Sequence, residues 1–169
     1  EILEIGCGLG LLSTALASQT HRCFTISEEE QQQQKNKLIL KTTDLFESAA
    51  KNASENVKRV LEKKVIKSSS SDIDVQVGYA GLNWKEYSSC ESDEKARERI
   101  IIGSEVFFDE EMSRDVAKFF GTKIENWKVG YLLVLEKRPG FDNFPKYCEE
   151  FGLTCDVFSY EKFFKEDFR

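Results

Sequence analysis

The sequence predicts an α/β fold in which a doubly wound, mostly parallel β-sheet carries helices on both faces. Short apolar runs alternate with segments of helical periodicity along the 169 residues. A glycine turn joins the first apolar run to the first helical segment. The apolar runs are continuous rather than alternating, which is typical of strands buried on both faces. The length suits a single domain over residues 1–169.

The first unit is a strand, a glycine turn and a helix. "EILEIG" reads as a short buried strand of Ile and Leu that runs into glycines. The helix is expected to extend from Leu11 to about Ser18, with one apolar face formed by Leu11, Leu12, Ala15 and Leu16. Because the chain starts on this strand without a Met, we expect preceding elements to be missing.

The second strand has two candidate positions, separated by a charged and Gln-rich tract without an apolar period. We expect this tract, at about 27–37, to be a solvated low-complexity insertion. "LILKTTD" after it is the preferred strand and ends at Asp44. "RCFTIS" before it is the rival, and it would bring Glu28 to the position of Asp44.

The later segments continue the alternation of strands and helices. The predicted strands are "IDVQVG", "VGYLLVLEK" and "LTCDVFSY", and "IIIGSEVFF" comprises a further strand and its exit. The predicted helices extend from Leu45 to Lys64 and over "EEMSRDVAKFF" and "NFPKYCEEF". The run "VGYLLVLEK" is so apolar that we expect it at the centre of the sheet, and "LTCDVFSY" would be the sixth strand.

Composition excludes several classes of function. A net charge of -6 and a pI of about 5.0 argue against a nucleic-acid-binding surface. No apolar stretch approaches the ~20 residues of a membrane span. The five cysteines form no CxxC pair, which favours reduced thiols inside the cell. Without a cluster of His, Cys and acids at ligand spacing, we predict no metal.

The glycine turn carries the strongest chemical signal. Gly6, Gly8 and Gly10 follow G-x-G-x-G rather than the dinucleotide pattern G-x-G-x-x-G, and Glu4 precedes the first glycine by two residues. An acid there would repel a pyrophosphate, but it can serve a cation or an amino group. The alternative is a plain structural turn between strand and helix.

Asp44, Trp84 and Glu105 lie at or just beyond the carboxyl ends of predicted strands, where ligands bind in such sheets. Asp44 could accept both hydroxyls of a ribose, or it could cap the next helix. Trp84, after Asn83, could lie against an adenine ring or pack on the rim of the domain. Glu105 could instead be an acid at a helix N-terminus.

These motifs together resemble the seven-strand S-adenosylmethionine-dependent methyltransferases, whose first motif is E/D-x-G-x-G-x-G. The order of "TTD", "LNW" and "EVFF" resembles the methyltransferase-16 family of protein-lysine methyltransferases, with its [D/E]-x-x-[Y/F] motif. The sequence departs from that family at Asn83, where Asp is common, and at Phe108, where Tyr is an alternative. The resemblance implies a Rossmann-like methyltransferase sheet, which we expect to be truncated at the N-terminus, with truncation at the C-terminus left open.

The resemblance also implies the cofactor, the substrate and their ligands. S-adenosyl-L-methionine would be the cofactor, and a protein that presents a lysine would be the substrate, with no role for nucleic acid or membrane. Glu105 would orient the amine and Phe108 would line the lysine channel. The implied cofactor-binding residues are Glu4, Gly6, Gly8, Gly10, Asp44, Trp84 and Ser104.

Three other functions remain open from the sequence. The enzyme could methylate a small molecule, or the chain could be a methyltransferase-like binding module without activity. A dinucleotide oxidoreductase fits poorly, because the glycine spacing and Glu4 both disagree with it. The expected location for the lysine methyltransferase is intracellular, in the nucleus, the cytoplasm or both.

Overall fold

The computed structural model describes residues 1–23, 36–65, 73–84, 100–123, 128–134 and 137–159. Strands and helices alternate along them, as the sequence predicts, except that β3 is followed by β4 with the connection outside the described residues. The strands are β1 (Ile2–Ile5), β2 (Asn36–Asp44), β3 (Ile73–Gly81), β4 (Ile100–Ser104) and β5 (Val129–Leu133). The helices are α1 (Leu11–Cys23), α2 (Glu47–Val65), α3 (Glu110–Lys123) and α4 (Phe144–Glu150).

The five strands form one parallel sheet in the order β3-β2-β1-β4-β5. β1 lies at the centre, where Ile2 is in register with Leu40 of β2 on one side and with Ile100 of β4 on the other. The chain builds outward from β1 to β3 and then returns to the far side of β1 with β4. The structure therefore confirms the doubly wound α/β class, and its switch in strand order lies between β1 and β4.

Apolar side chains cover the two faces of the sheet separately. On one face Leu3 and Ile5 of β1 pack with Phe119 of α3. On the other face Leu40 of β2 packs with Val57 of α2. Alternation of side chains along each strand accounts for this division. The helices predicted over "EEMSRDVAKFF" and "NFPKYCEEF" are confirmed as α3 and α4, with apolar residues at helical spacing partly or fully buried: Met112, Val116, Phe119, Phe120, Phe144, Tyr147, Cys148 and Phe151.

The predicted apolar face of α1 is wrong at Leu11 and Ala15. Over residues 11–19, whose burial the structure describes, Ser13 and Ala17 are buried and Leu12 and Leu16 are partly buried, whereas Ala15 is exposed and Leu11 is 81% exposed. Ala17 packs with Leu40 of β2 and Val57 of α2, so a small residue of α1 lies at this contact. The helix also extends further than predicted, to Cys23.

Two strand predictions near the end of the chain are also wrong. β5 pairs with β4 at an edge of the described sheet rather than at its centre, and Tyr131 and Leu133 are about 60% exposed. The segment 153–159 forms no strand. Apolar residues favour an extended chain there, but a strand also needs a partner, and no described strand pairs with this segment.

The second strand is "LILKTTD", which ends at Asp44 as preferred from the sequence. Asn36 and Lys37 belong to it, so the expected insertion at 27–37 overlaps the strand by these residues. Glu28 and the rest of the insertion lie outside the described residues. In the part of the chain that the structure describes, no helix is long and apolar enough to span a bilayer.

Candidate functional site

The loop between β1 and α1 needs its three glycines for their backbone conformation. Gly6, Gly8 and Gly10 have φ values of 57°, 50° and 74°, in the left-handed region that side chains with a Cβ rarely adopt. Gly10 also lies against α2, because a Cβ on it would be 2.9 Å from the Cα of Ala53. The loop between β1 and α1 therefore meets the backbone of α2 at Gly10.

Gly8 differs from the other two glycines because its surroundings are open. A Cβ on Gly8 would meet no atom within 4 Å. Its backbone N–H donates to Oδ2 of Asp44 at 3.0 Å, and Oδ1 of Asp44 accepts the N–H of Phe46 at 3.2 Å. The carboxylate thus joins the glycine loop to the end of β2.

Asp44 does not cap α2, which was one alternative from the sequence. The helix begins at Glu47, and the carbonyl of Phe46 accepts the first helical N–H groups, those of Ala49 and Ala50. The bond from Phe46 to Oδ1 of Asp44 is an Asx turn instead. A carboxylate has about four acceptor positions, so two backbone donors leave it capacity for a ligand's hydroxyl groups.

Glu4 lies on the inner side of the glycine loop. Its side chain is buried, and Oε2 accepts the backbone N–H of Ser13 in the first turn of α1 at 3.3 Å. Burial raises the pKa of the Glu4 carboxyl above its usual value. The carboxylate therefore supports the helix start from within, and its contact with a cofactor's amino group stays a prediction.

Two threonines fix the loop and were not singled out from the sequence. The hydroxyl of Thr43 donates to the carbonyl of Glu4 at 2.7 Å, and the N–H of Cys7 donates to the carbonyl of Thr43 at 2.9 Å. Thr42 donates from its hydroxyl to the carbonyl of Ala50 at 2.8 Å. The sequence signal for them was their position directly before Asp44 at the end of a buried strand. Hydroxyl groups buried there need hydrogen-bond acceptors, which the backbone of the neighbouring loop can supply.

Cys7 is not a nucleophile in this loop. Burial, followed by the charges of Glu4 and Asp44, raises the pKa of Cys7 to about 12. The thiol therefore stays protonated at neutral pH, and only the thiolate is reactive. The residue contributes a small buried side chain to the cluster with Ala50 and Ala53.

Trp84 lies beside the first glycine of the loop. A Cβ on Gly6 would be 3.3 Å from Cζ2 of Trp84 and 3.3 Å from Cγ1 of Val106. The N–H of Leu82 donates to the carbonyl of Asp44 at 2.8 Å and fixes the exit of β3. The indole packs on the core beside α3, and its buried Nε1 has no hydrogen-bond partner. The indole of Trp84 therefore lies against the core, and not on the rim of the domain, which was the alternative from the sequence.

Glu105 and Phe108 follow β4 and meet a third side chain. Glu105 has a φ of 55°, and its N–H donates to the carbonyl of Leu133 at 2.8 Å. Nε of Arg138 lies 2.5 Å from Oε2 of Glu105, and the guanidinium carbon lies 5.1 Å from the centre of the Phe108 ring. Sequence reasoning missed Arg138, although it follows the carboxyl end of the strand next to β4.

The predicted residues meet along the carboxyl edge of β2, β1 and β4. Ser104 is the exposed last residue of β4, one position after Gly103, which is in register with Ile5. Val106 touches the position of Gly6 and so links the Glu105 segment to the glycine loop. Within the described ranges, no three His, Cys, Asp or Glu side chains group as metal ligands would.

Comparison of the chain with protein-family models, with curated proteins and with solved structures finds no match. The function proposed below therefore depends on the motifs and on the geometry of this edge.

Proposed function

We propose that this chain is an S-adenosylmethionine-dependent methyltransferase and that its acceptor is a lysine side chain of a protein. The hydrogen bond from Gly8 to Asp44 carries the proposal. It joins the open glycine of a G-x-G-x-G loop to an acid at the end of the second strand, beside the switch in strand order. Within the methyltransferase-16 family, the run "SEVFFDEEMSRDV" and the later "LLVLEKR" look most like methyltransferase-like protein 22.

The residues at the loop fit the proposed cofactor. Open space above Gly8 leaves room for the amino-acid part of S-adenosylmethionine, and the two oxygens of Asp44 keep acceptor positions for its ribose hydroxyls. Trp84 would supply an apolar surface for the adenine ring, and Ser104 a hydroxyl on the β4 side. When bound, this cofactor supplies a methyl group on a positively charged sulfur.

A lysine acceptor must lose its proton before it can attack that methyl group. With a pKa near 10.4, only about 0.1% of a free lysine is neutral near pH 7.4, which corresponds to roughly 4 kcal/mol. Glu105 would capture the incoming ammonium and orient the amine. The ring of Phe108, which is 57% exposed, would hold the same side chain by a cation–π contact worth about 0.5–2 kcal/mol.

Two features favour a protein acceptor over a small molecule. Glu105 and Phe108 already hold a long cationic side chain, that of Arg138, which supports their suitability for a second one. Four large apolar side chains around the glycine loop are 60–81% exposed, as expected of a surface that meets a macromolecule: Leu9, Leu11, Leu45 and Phe46.

The free thiols of Cys7, Cys148 and Cys155 support an intracellular location, nuclear or cytoplasmic or both.

The experiment that tests this function is transfer of a radiolabelled methyl group from S-adenosylmethionine to proteins of a lysate. We expect a labelled protein band with the wild-type chain and no band with Glu105→Ala, while calorimetry shows that this variant keeps its affinity for the cofactor. Label that appears only in small molecules would contradict the protein acceptor and favour a small-molecule methyltransferase. Absence of heat with millimolar S-adenosylmethionine would contradict the proposal and favour a binding module without activity.

A further inference from the structure

Arg138 occupies the two features that a cationic substrate would need. Its Nε donates to Oε2 of Glu105, and its guanidinium lies over the ring of Phe108 at 5.1 Å. A carboxylate and the face of an aromatic ring are the two partners that ammonium and guanidinium groups use in proteins. The same short segment of chain therefore offers one cation site, and a residue of this chain fills it.

The backbone of the site is anchored to its neighbours. Glu105 has a left-handed backbone conformation and is hydrogen-bonded through its N–H to Leu133 of the neighbouring strand. The next residue, Val106, is buried in the core. These contacts hold the backbone of Glu105 and Val106 independently of Arg138, so the segment keeps its place when the guanidinium leaves.

The segment that carries Arg138 is also anchored, but beyond the arginine. Gly140 has a φ of 83°, and its carbonyl accepts the hydroxyl of Ser113 at 2.9 Å. A Cβ on Gly140 would be 2.6 Å from the Cβ of Ser113, so this turn is closely packed on α3. Displacement of the guanidinium therefore requires rotation of one side chain and leaves the turn in place.

The contacts of Arg138 are exposed enough to be exchanged. The side chain of Arg138 is 34% exposed and that of Glu105 is 29% exposed. Ion pairs and cation–π contacts at such partly exposed positions are weak, because water competes for both groups. A cation from another molecule can therefore replace the guanidinium at a moderate cost.

We infer that Arg138 is an intramolecular competitor for the cation site of Glu105 and Phe108, which a substrate's alkylammonium group enters by displacing it. The inference rests on the proposed function only for the identity of the substrate. It adds a source of specificity to that function. A lysine binds only when other contacts of its peptide supply the free energy that displacement of Arg138 costs. Arg138 is thereby a specificity-determining residue of the site.

The test uses n-butylammonium as a probe for the lysine side chain and n-butanol as its uncharged counterpart. Both are titrated into the whole chain without cofactor, and the backbone amide signals of Glu105, Val106 and Phe108 are followed by NMR. We expect Arg138→Gln to bind n-butylammonium roughly tenfold more tightly than wild type, which corresponds to about 1.4 kcal/mol. Binding of n-butanol should not change.

Arg114 provides the matched control. It pairs with Glu150 and lies 5.8 Å from the ring centre of Phe151, so it repeats the arginine, carboxylate and ring arrangement between α3 and α4. Arg114→Gln should leave the affinity for n-butylammonium at the wild-type value. The double variant Arg138→Gln with Glu105→Gln should lose the gain. Thermal melts of each variant show that it is folded.

Equal or weaker binding of n-butylammonium by Arg138→Gln would overturn the inference, because the arginine would then not compete for the site. A tenfold gain that survives in the double variant would also overturn it, since Glu105 would not be the shared partner. Titration with S-adenosylmethionine separates this outcome from the proposed function. If the chain binds the cofactor but Arg138→Gln gains no affinity for n-butylammonium, only the inference about Arg138 is refuted, and the proposed function stands.

Discussion

The backbone N–H of Gly8 and the carboxylate of Asp44 meet at 3.0 Å, although 36 residues separate them in the sequence. This bond closes the gap between the carboxyl ends of β1 and β2, where a ligand would lie. The space beside Gly8 is open, because a Cβ on this residue would meet no atom within 4 Å. The proposed cofactor site therefore depends on a contact that small changes can remove while the sheet stays folded.

Gly8→Arg should abolish binding of S-adenosylmethionine without unfolding the chain. The new side chain points into open space, so the fold loses only the cost of a left-handed residue, about 1–2 kcal/mol. The same side chain fills the space proposed for the cofactor. Gly152→Arg is the control, because Gly152 also has a positive φ of 76° and open surroundings, but follows α4. Calorimetry that finds unchanged affinity in Gly8→Arg would contradict the assignment of the loop.

Gly10→Ala should destabilise the fold more than Gly8→Ala does. The added methyl group would lie 2.7 Å from Cβ and 2.9 Å from Cα of Ala53, which forces α1 away from α2. Together with the left-handed backbone, this overpacking should cost about 2–5 kcal/mol. Urea unfolding of the two alanine variants measures the difference, and equal free energies of unfolding would show that the two helices are not closely packed there.

Asp44→Ala should lower both stability and affinity for the cofactor. The variant loses the hydrogen bonds from Gly8 and Phe46, a cost of about 1–2 kcal/mol at this partly exposed position. Asp44→Asn keeps one acceptor oxygen, so it should recover part of the stability while affinity remains reduced. Urea unfolding and calorimetry measure the two effects, and full affinity in Asp44→Asn would show that the charge is not needed for the ribose.

Glu105→Gly should be more stable than Glu105→Ala by about 1 kcal/mol. Both variants lose the ion pair with Arg138, but only alanine keeps the cost of a Cβ at a φ of 55°. Thermal or urea unfolding compares them directly. A more stable alanine variant would mean that the left-handed conformation at this position is not retained in solution.

Glu4→Gln should gain stability relative to wild type as the pH rises. Burial raises the pKa of the Glu4 carboxyl in the folded chain, so the folded state binds more protons than the unfolded state between the two pKa values. Its contribution is most favourable below the unfolded value of 4.5 and is lost as the pH rises through the folded value. The amide of glutamine accepts the N–H of Ser13 without this loss. Urea unfolding from pH 4 to 7 tests it, and a pH-independent difference would contradict it.

The sequence predicts what depends on local pattern and misses what depends on packing across elements. The end of β2 at Asp44 and the glycine loop follow from residue types next to each other. The buried face of α1 does not, because the small side chains of Ser13 and Ala17 are more buried than its leucines, which no local pattern indicates. Arg138 was missed since an arginine after a strand has no signature until the neighbouring strand brings Glu105 beside it. The position of β5 depends likewise on its partners rather than on its composition.

The central position of β1 has a consequence for folding kinetics. This four-residue strand, from Ile2 to Ile5, pairs with residues near 40 on one side and with residues near 100 on the other. The pairing of β1 with β4 closes a loop of about 100 residues, which makes it a slow step. The pairings β1–β2 and β2–β3 join strands at nearly equal, much shorter separations and can form earlier. The edge that the glycine loop shares with the segment after β4, where Val106 meets the position of Gly6, is therefore completed late. A ligand bound there should slow unfolding more than it speeds refolding.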